Sequence, residues 1–184
     1  MSYDWDRTFL NIAKEFSKHS TCCRKKVGAI ITCNKRVISS GYNGTPSAIK
    51  HCEDVFKDVS EEDKLDLNSD FCKQHAVFSK AYELHAEQNC IAFAAKNGIK
   101  IDNDCVLYTT LSPCSDCAKL IAQSGIKRVV YEEKYDRYFV MGVHMTSQDE
   151  ESPVTTKWYV EECRLEELSF VVDDKPALAD QFRI

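Results

Sequence analysis

Apolar positions along the first stretch recur at helical spacing (Trp5, Phe9, Ile12, Ala13, Phe16), which predicts a helix over Trp5 to Lys18. Val27 to Thr32 is a short β-branched run. A polar turn, Cys33-Asn34-Lys35-Arg36, and a second run from Val37 to Ser40 complete a predicted β-hairpin. Gly41-Tyr42-Asn43-Gly44-Thr45-Pro46 follows at once, and two glycines with a proline in six residues mark a shaped loop. Residues 47 to about 80 are polar and without clear period, so the chain from about 45 to 84 reads as an irregular insertion. Periodicity then returns. Glu87 to Lys96 is a helix with Cys90, Ile91 and Ala94 on its apolar face, stopped by Asn97-Gly98. Cys105 to Thr109 is a strand, Ser115 to Gln123 a helix closed by Ser124-Gly125, and Lys127 to Tyr131 a strand. Residues 132–153 are ambiguous; Thr156 to Glu162 reads as a helix and Leu168 to Val172 as a last strand. After the first helix the order β-β-α-β-α-β-α-β implies an α/β fold, a mixed sheet between two helical layers.

Length and composition narrow the function classes. A chain of 184 residues argues for one domain, with the 45–84 excursion as its insertion. No apolar run approaches membrane-spanning length, and Met1 to Asp6 lacks the basic flank and apolar core of a signal peptide. Ten cysteines without an export signal point to metal binding and free buried thiols in a reducing compartment, the cytoplasm. A net charge of −5 weakens the case for a polynucleotide surface, and nothing marks a membrane partner. A small anionic ligand needs only one local cation and a few amides.

Chemistry concentrates in two motifs, His85-Ala86-Glu87 and Pro113-Cys114-Ser115-Asp116-Cys117. One imidazole and two thiolates make three soft ligands for zinc, which leaves a tetrahedral ion one position for water. Each motif opens a predicted helix after a strand of one sheet, so both helix N-termini can face one crevice. Their partial positive charge favours the thiolates that zinc requires. Zinc lowers the pKa of such a water toward about 7. Glu87, two residues from the histidine and free of the metal, is placed to take the water proton and pass it on. Cys-x-x-Cys alone is moderately common and His-x-Glu alone says almost nothing. In this order, each at a strand–helix junction, they spell hydrolytic deamination of a nucleobase.

These residues resemble the zinc-dependent cytidine and deoxycytidylate (dCMP) deaminase superfamily. The likeness covers roughly residues 5 to 131: His85 to Ile91, Ser112 to Ile121, Gly125-Ile126-Lys127, and the Gly41-to-Pro46 loop, which is similar to that of dCMP deaminases. Ser20-Thr21-Cys22-Cys23 before Val27-Gly28-Ala29 is similar to phage-type members. The resemblance implies a five-stranded mixed sheet flanked by helices, conversion of dCMP to dUMP for dTTP synthesis, and a homohexamer. It also implies activation by dCTP with Mg2+, inhibition by dTTP, and a regulatory site at Gly41, Tyr42, Asn43 and Gly44. A second, structural zinc that ties down the insertion falls by motif position on Cys22, Cys52, His75 and Glu83, with His51, Cys23 and Cys72 as substitutes. A deaminase of dCTP or another cytosine species, and a catalytically silent zinc scaffold, are the competing readings.

For the substrate, Asn43 offers an amide that both donates and accepts to sugar or base. Arg24, just before the first strand, is where relatives place a phosphate contact, with Lys25 and Lys26 competing for the role. Tyr135 and Arg137 follow the fourth strand at the crevice edge, suited to stacking and bidentate phosphate pairing. Ser112 offers a backbone carbonyl to the exocyclic amine. Cys33 and Cys90 read as buried small hydrophobes, His19 and His144 as surface residues, and Trp5 and Trp158 as packing residues.

Overall fold

The computed structural model describes residues 4–66, 69–133, 144–146 and 154–157. Helix α1 (Trp5–Ser17) starts where the Asp4 carboxylate accepts from the Arg7 amide at 3.0 Å, an N-cap. Strands β1 (Gly28–Cys33) and β2 (Arg36–Tyr42) form the expected antiparallel hairpin. Asn34 and Lys35 both take positive φ at its turn, so the hairpin follows the twist of its strands. Three helices follow: α2 (Cys52–Val55), α3 (Glu61–Leu65) and α4 (Asp70–Tyr82). Then come α5 (Ala86–Lys96), β3 (Cys105–Leu111), α6 (Ser115–Gln123) and β4 (Arg128–Glu133). Two short strands, β5 (His144–Thr146) and β6 (Val154–Lys157), complete the sheet.

The sheet order is β2-β1-β3-β4-β6-β5. Among the described strands, only β3 and β4 run parallel, joined through α6, and the other pairs are antiparallel. Alternation along the strands divides the core. Ile30, Tyr108 and Val130 face α1 and meet Phe9, Leu10 and Ala13. Ala29, Ile31, Leu107 and Val129 face the other way and pack on Ala86 and Cys90 of α5 and Cys117 and Ile121 of α6. Helices thus cover both faces of the central strands, the α-β-α arrangement the pattern predicts. Gly41 lets α5 lie directly on β2, because a Cβ there would sit 2.7 Å from the Ala86 carbonyl oxygen and 2.8 Å from the Cys90 nitrogen. This contact fixes the start of the helix that carries His85 and Glu87.

Four expectations change. The insertion is not irregular: Ser60 caps α3 and Ser69 caps α4, their hydroxyls accepting from Asp63 and Cys72 amides at 3.1 and 3.2 Å. α4 runs 13 residues, and its Phe71 and Phe78 pack edge-on against Phe56. Thr156 and Lys157 lie in β6, paired with β4, so the helix predicted to begin at Thr156 begins instead as a strand. The described strands number six where the resemblance implies five. Cys33 is not an isolated hydrophobe: it sits opposite Cys105 in the β1–β3 register and is joined to it as a disulfide. Tyr135, Arg137, Trp158 and the strand expected at Leu168 to Val172 lie outside the described residues.

Candidate active site

His85 and Cys114 occupy equivalent places, each the N-cap residue of a helix on the same side of the sheet. Extended backbone at each position swings the side chain clear of the helix that follows. The His85 amide donates to the Gln88 side chain at 2.8 Å, which sets the entry angle of α5. Gln88 was not singled out from the sequence, although a glutamine at the third helical position is the usual sign of such a cap.

His85 Nδ1 lies 3.4 Å from Cys114 Sγ and 3.3 Å from Cys117 Sγ. A tetrahedral zinc with Zn–N of about 2.05 Å and Zn–S of about 2.3 Å spaces nitrogen and sulfur about 3.6 Å apart. The three donors are therefore gathered almost to the spacing a zinc ion imposes. Glu87 Oε2 lies 3.6 Å from Cys117 Sγ, so the carboxylate borders the cluster. Hydrogen bonding with Cys117 holds the Cys114 thiol down to about 4, against the effect of burial and with help from His85. Cys117 is driven the other way by its hydrogen bond to Cys114, by burial and by the Glu87 charge. His85 is raised by the Cys114 thiolate. A divalent ion would replace the proton that the two sulfurs otherwise share. Burial raises the Glu87 carboxyl above the ordinary carboxylate range.

A second group gathers Cys22, Cys52, His75 and Glu83, one ligand atom from each within 4.8 Å of all the others and all four residues buried. Cys22 Sγ is 3.3 Å from His75 Nε2. Glu83 Oε1 is buried without a hydrogen-bond partner, an arrangement costly for an isolated polar atom and natural for a metal ligand. Burial raises the Glu83 carboxyl as well. The two thiols again diverge: hydrogen bonding to Cys52 brings Cys22 down to about 3, and the same bond raises Cys52. Two sulfurs, an imidazole and a carboxylate fit zinc by number and type. The substitutes lie elsewhere. Cys72 Sγ turns to the Asp66 carbonyl at 3.0 Å. His51 is exposed, its Nδ1 near the Thr21 and Thr45 hydroxyls. Cys23 Sγ lies 3.1 Å from Cys52 Sγ but is not a member of the group of four. The two groups meet on adjacent backbone. Glu83 and His85 are both extended and flank Leu84, whose amide and carbonyl both bond Gly44.

The residues expected at the substrate are placed as follows. Asn43 is buried; its Oδ1 accepts from the Ser20 hydroxyl at 2.7 Å and the Val27 amide at 2.8 Å, and its Nδ2 donates to the Lys25 carbonyl at 2.8 Å. It braces the 20–27 segment against the Gly41-to-Pro46 loop, a tie the sequence did not disclose. Gly41 is buried under α5, Gly44 is buried at the Leu84 bridge, and Tyr42 is exposed. Arg24 is exposed. Lys25 and Lys26, and not Arg24, line a cavity of about 120 Å³ with Lys14, Thr110 and Glu132. Ser112 continues past β3, its amide donating to the Glu133 carbonyl at 2.8 Å.

Comparison with known proteins agrees with this geometry. The cytidine and deoxycytidylate deaminase zinc-binding region matches residues 3–133. The deoxycytidylate deaminase of Enterobacteria phage T4 is 41% identical over 152 residues, covering 71% of this chain and 78% of the relative. That of Mycobacterium phage D29 is 34% identical over 131 residues, 71% and 96% of the two chains. The dCMP deaminase of cyanophage S-TIM5, solved with dCMP and dUMP, is 35% identical with a TM-score of 0.58, covering 74% of this chain and 87% of that one. This chain belongs to the zinc-binding cytidine and deoxycytidylate deaminase family.

Proposed function

We propose that this protein deaminates dCMP hydrolytically, consuming water and yielding dUMP and ammonia. The observation that carries the reading is the convergence of His85, Cys114 and Cys117 with the buried Glu87 carboxylate at their border. His85, Cys114 and Cys117 would hold the catalytic zinc. When bound, zinc supplies an activated water at neutral pH. Glu87 takes the proton of the attacking water and delivers it to the pyrimidine ring nitrogen. It then takes the proton of the hydroxyl newly bonded to the reacting carbon and gives it to the departing amine, as the C–N bond breaks and the carbonyl forms. A raised carboxyl suits both directions of transfer.

The choice of dCMP within the family is supported by the names of the phage relatives and by the S-TIM5 complex. Substrate contacts are proposed at Asn43 and Ser112, with phosphate contacts at Arg24, Tyr135 and Arg137. Because Lys25 and Lys26 line the cavity beside the ends of β3 and β4, they stand as alternatives to Arg24. Cys22, Cys52, His75 and Glu83 are proposed to hold a second, structural zinc, making the 45–84 segment a metal-pinned insertion in one domain. The regulatory reading also belongs here: dCTP with Mg2+ as activator and dTTP as inhibitor, acting at Gly41 to Gly44 in a homohexamer that feeds dTTP synthesis. The cytoplasm is the proposed location, since the two Cys-His clusters suit a reducing compartment, whereas the Cys33–Cys105 disulfide runs against that reading. The acidic net charge disfavours a polynucleotide partner.

The test is ammonia release from dCMP, deoxycytidine, dCTP and cytidine, each with and without dCTP as effector. We expect kcat/KM for dCMP to lead by at least about 100-fold, equivalent to about 2.8 kcal/mol of phosphate recognition. Preference for dCTP or cytidine would overturn the substrate assignment, and no turnover of any of them would leave the silent scaffold.

A further inference from the structure

We infer that Cys23 is a redox partner of Cys52, and that closing a disulfide between them ejects the metal held by Cys22, Cys52, His75 and Glu83. This inference rests on the second metal site proposed above. The four ligand residues account for that site without Cys23, yet Cys23 Sγ stands 3.1 Å from Cys52 Sγ. The Cys23 amide also points at the same sulfur, 3.5 Å away. A disulfide needs sulfurs about 2.05 Å apart, so a shift of roughly 1 Å closes the bond. The two thiols differ in burial: Cys52 is fully buried, whereas Cys23 is half-buried.

The step balances with a low-molecular-weight disulfide as oxidant. The Cys23 sulfur attacks one sulfur of that disulfide and releases the first small thiol. The Cys52 sulfur then attacks Cys23, forming the protein disulfide and releasing the second. Two protein sulfurs are oxidised and the small disulfide is reduced to two thiols. One proton comes from Cys23 and one from solvent, and the ion leaves as a divalent cation once its Cys52 donor is spent. The consequence reaches the active site, because Glu83 loses its metal two residues from His85 and the intervening Leu84 is bonded to Gly44.

The experiment starts from metal-loaded protein with its zinc counted. Glutathione disulfide is added, free zinc is followed with a chromogenic chelator, and thiols are mapped by alkylation and peptide mass spectrometry. We expect two ions per chain at the start and one released in step with a Cys23–Cys52 crosslinked peptide. Cys23→Ser should begin with two ions and release that one at least tenfold more slowly. Equal release from Cys23→Ser, or a crosslink that omits Cys23, overturns the switch while leaving the second site standing. A starting count of one ion overturns the second site itself, and the switch with it.

Discussion

Glu87 shows how little a side chain's type reveals and how much its surroundings add. A His-x-Glu triplet was legible in the sequence, but not that the carboxylate would be buried and border Cys117. That placement makes a prediction. Glu87→Gln should retain the metal bound by His85, Cys114 and Cys117, measured by elemental analysis, while kcat falls by at least about 10²-fold, the usual scale for losing a positioned proton carrier. Near-normal turnover would remove it from the mechanism. Asn43 is the opposite case. An amide reads as a substrate contact in sequence; the structure adds a bracing role, with its two ends bonded to Ser20, Val27 and Lys25. Those partners are 16 to 23 residues away, so no local pattern announces them. Asn43→Ala should therefore lower stability by about 2–4 kcal/mol in denaturant titration, since three bonds go and buried donors are left unpaired. An unchanged midpoint would show that the amide serves the ligand and not the scaffold.

Among the elements, those with regular apolar spacing were readable: α1, the β1–β2 hairpin, α5, β3, α6 and β4 all fall close to their expected bounds. The helices of the insertion were hidden because their apolar residues serve a small private cluster, Phe56, Phe71 and Phe78 around buried cysteines, and not a long amphipathic stripe. Capping serines at 60 and 69 were the available signal. Such a cluster is modest, and structural zinc sites contribute about 10 kcal/mol or more to the folding of small elements. Stripping the metal with a strong chelator should thus raise amide hydrogen exchange across α2, α3 and α4 selectively, with the α1-facing core still protected. Uniform exchange across the chain, or none above background, would contradict a pinned insertion.

Across the molecule, α1, β3 and β4 are stitched by one polar network. Asp6 accepts from the Tyr108 hydroxyl at 2.8 Å and pairs with both terminal nitrogens of Arg128. Burial pushes the Asp6 carboxyl up, but the Arg128 and Tyr108 bonds outweigh it and the net shift is downward. A depressed carboxyl stabilises the fold above its unfolded value, near 3.8, and that stability is lost as pH falls through the lower folded value. Comparing melting from about pH 7 to about 2.5, the native protein should be more stable than Asp6→Asn at neutral pH, with the gap closing as pH falls below about 4. A gap that persists into acid would mean packing and not charge holds these elements together. The sheet's mixed direction and its α-β-α layering followed from the order of elements. Its outer edge did not, because β5 and β6 are too short to carry a pattern. The bridge from Glu83 to His85 has a further consequence for how such a chain can vary. Adding or deleting one residue between those two side chains would turn one of them to the opposite side of the backbone, so the geometry of both clusters depends on a spacer of a single amino acid.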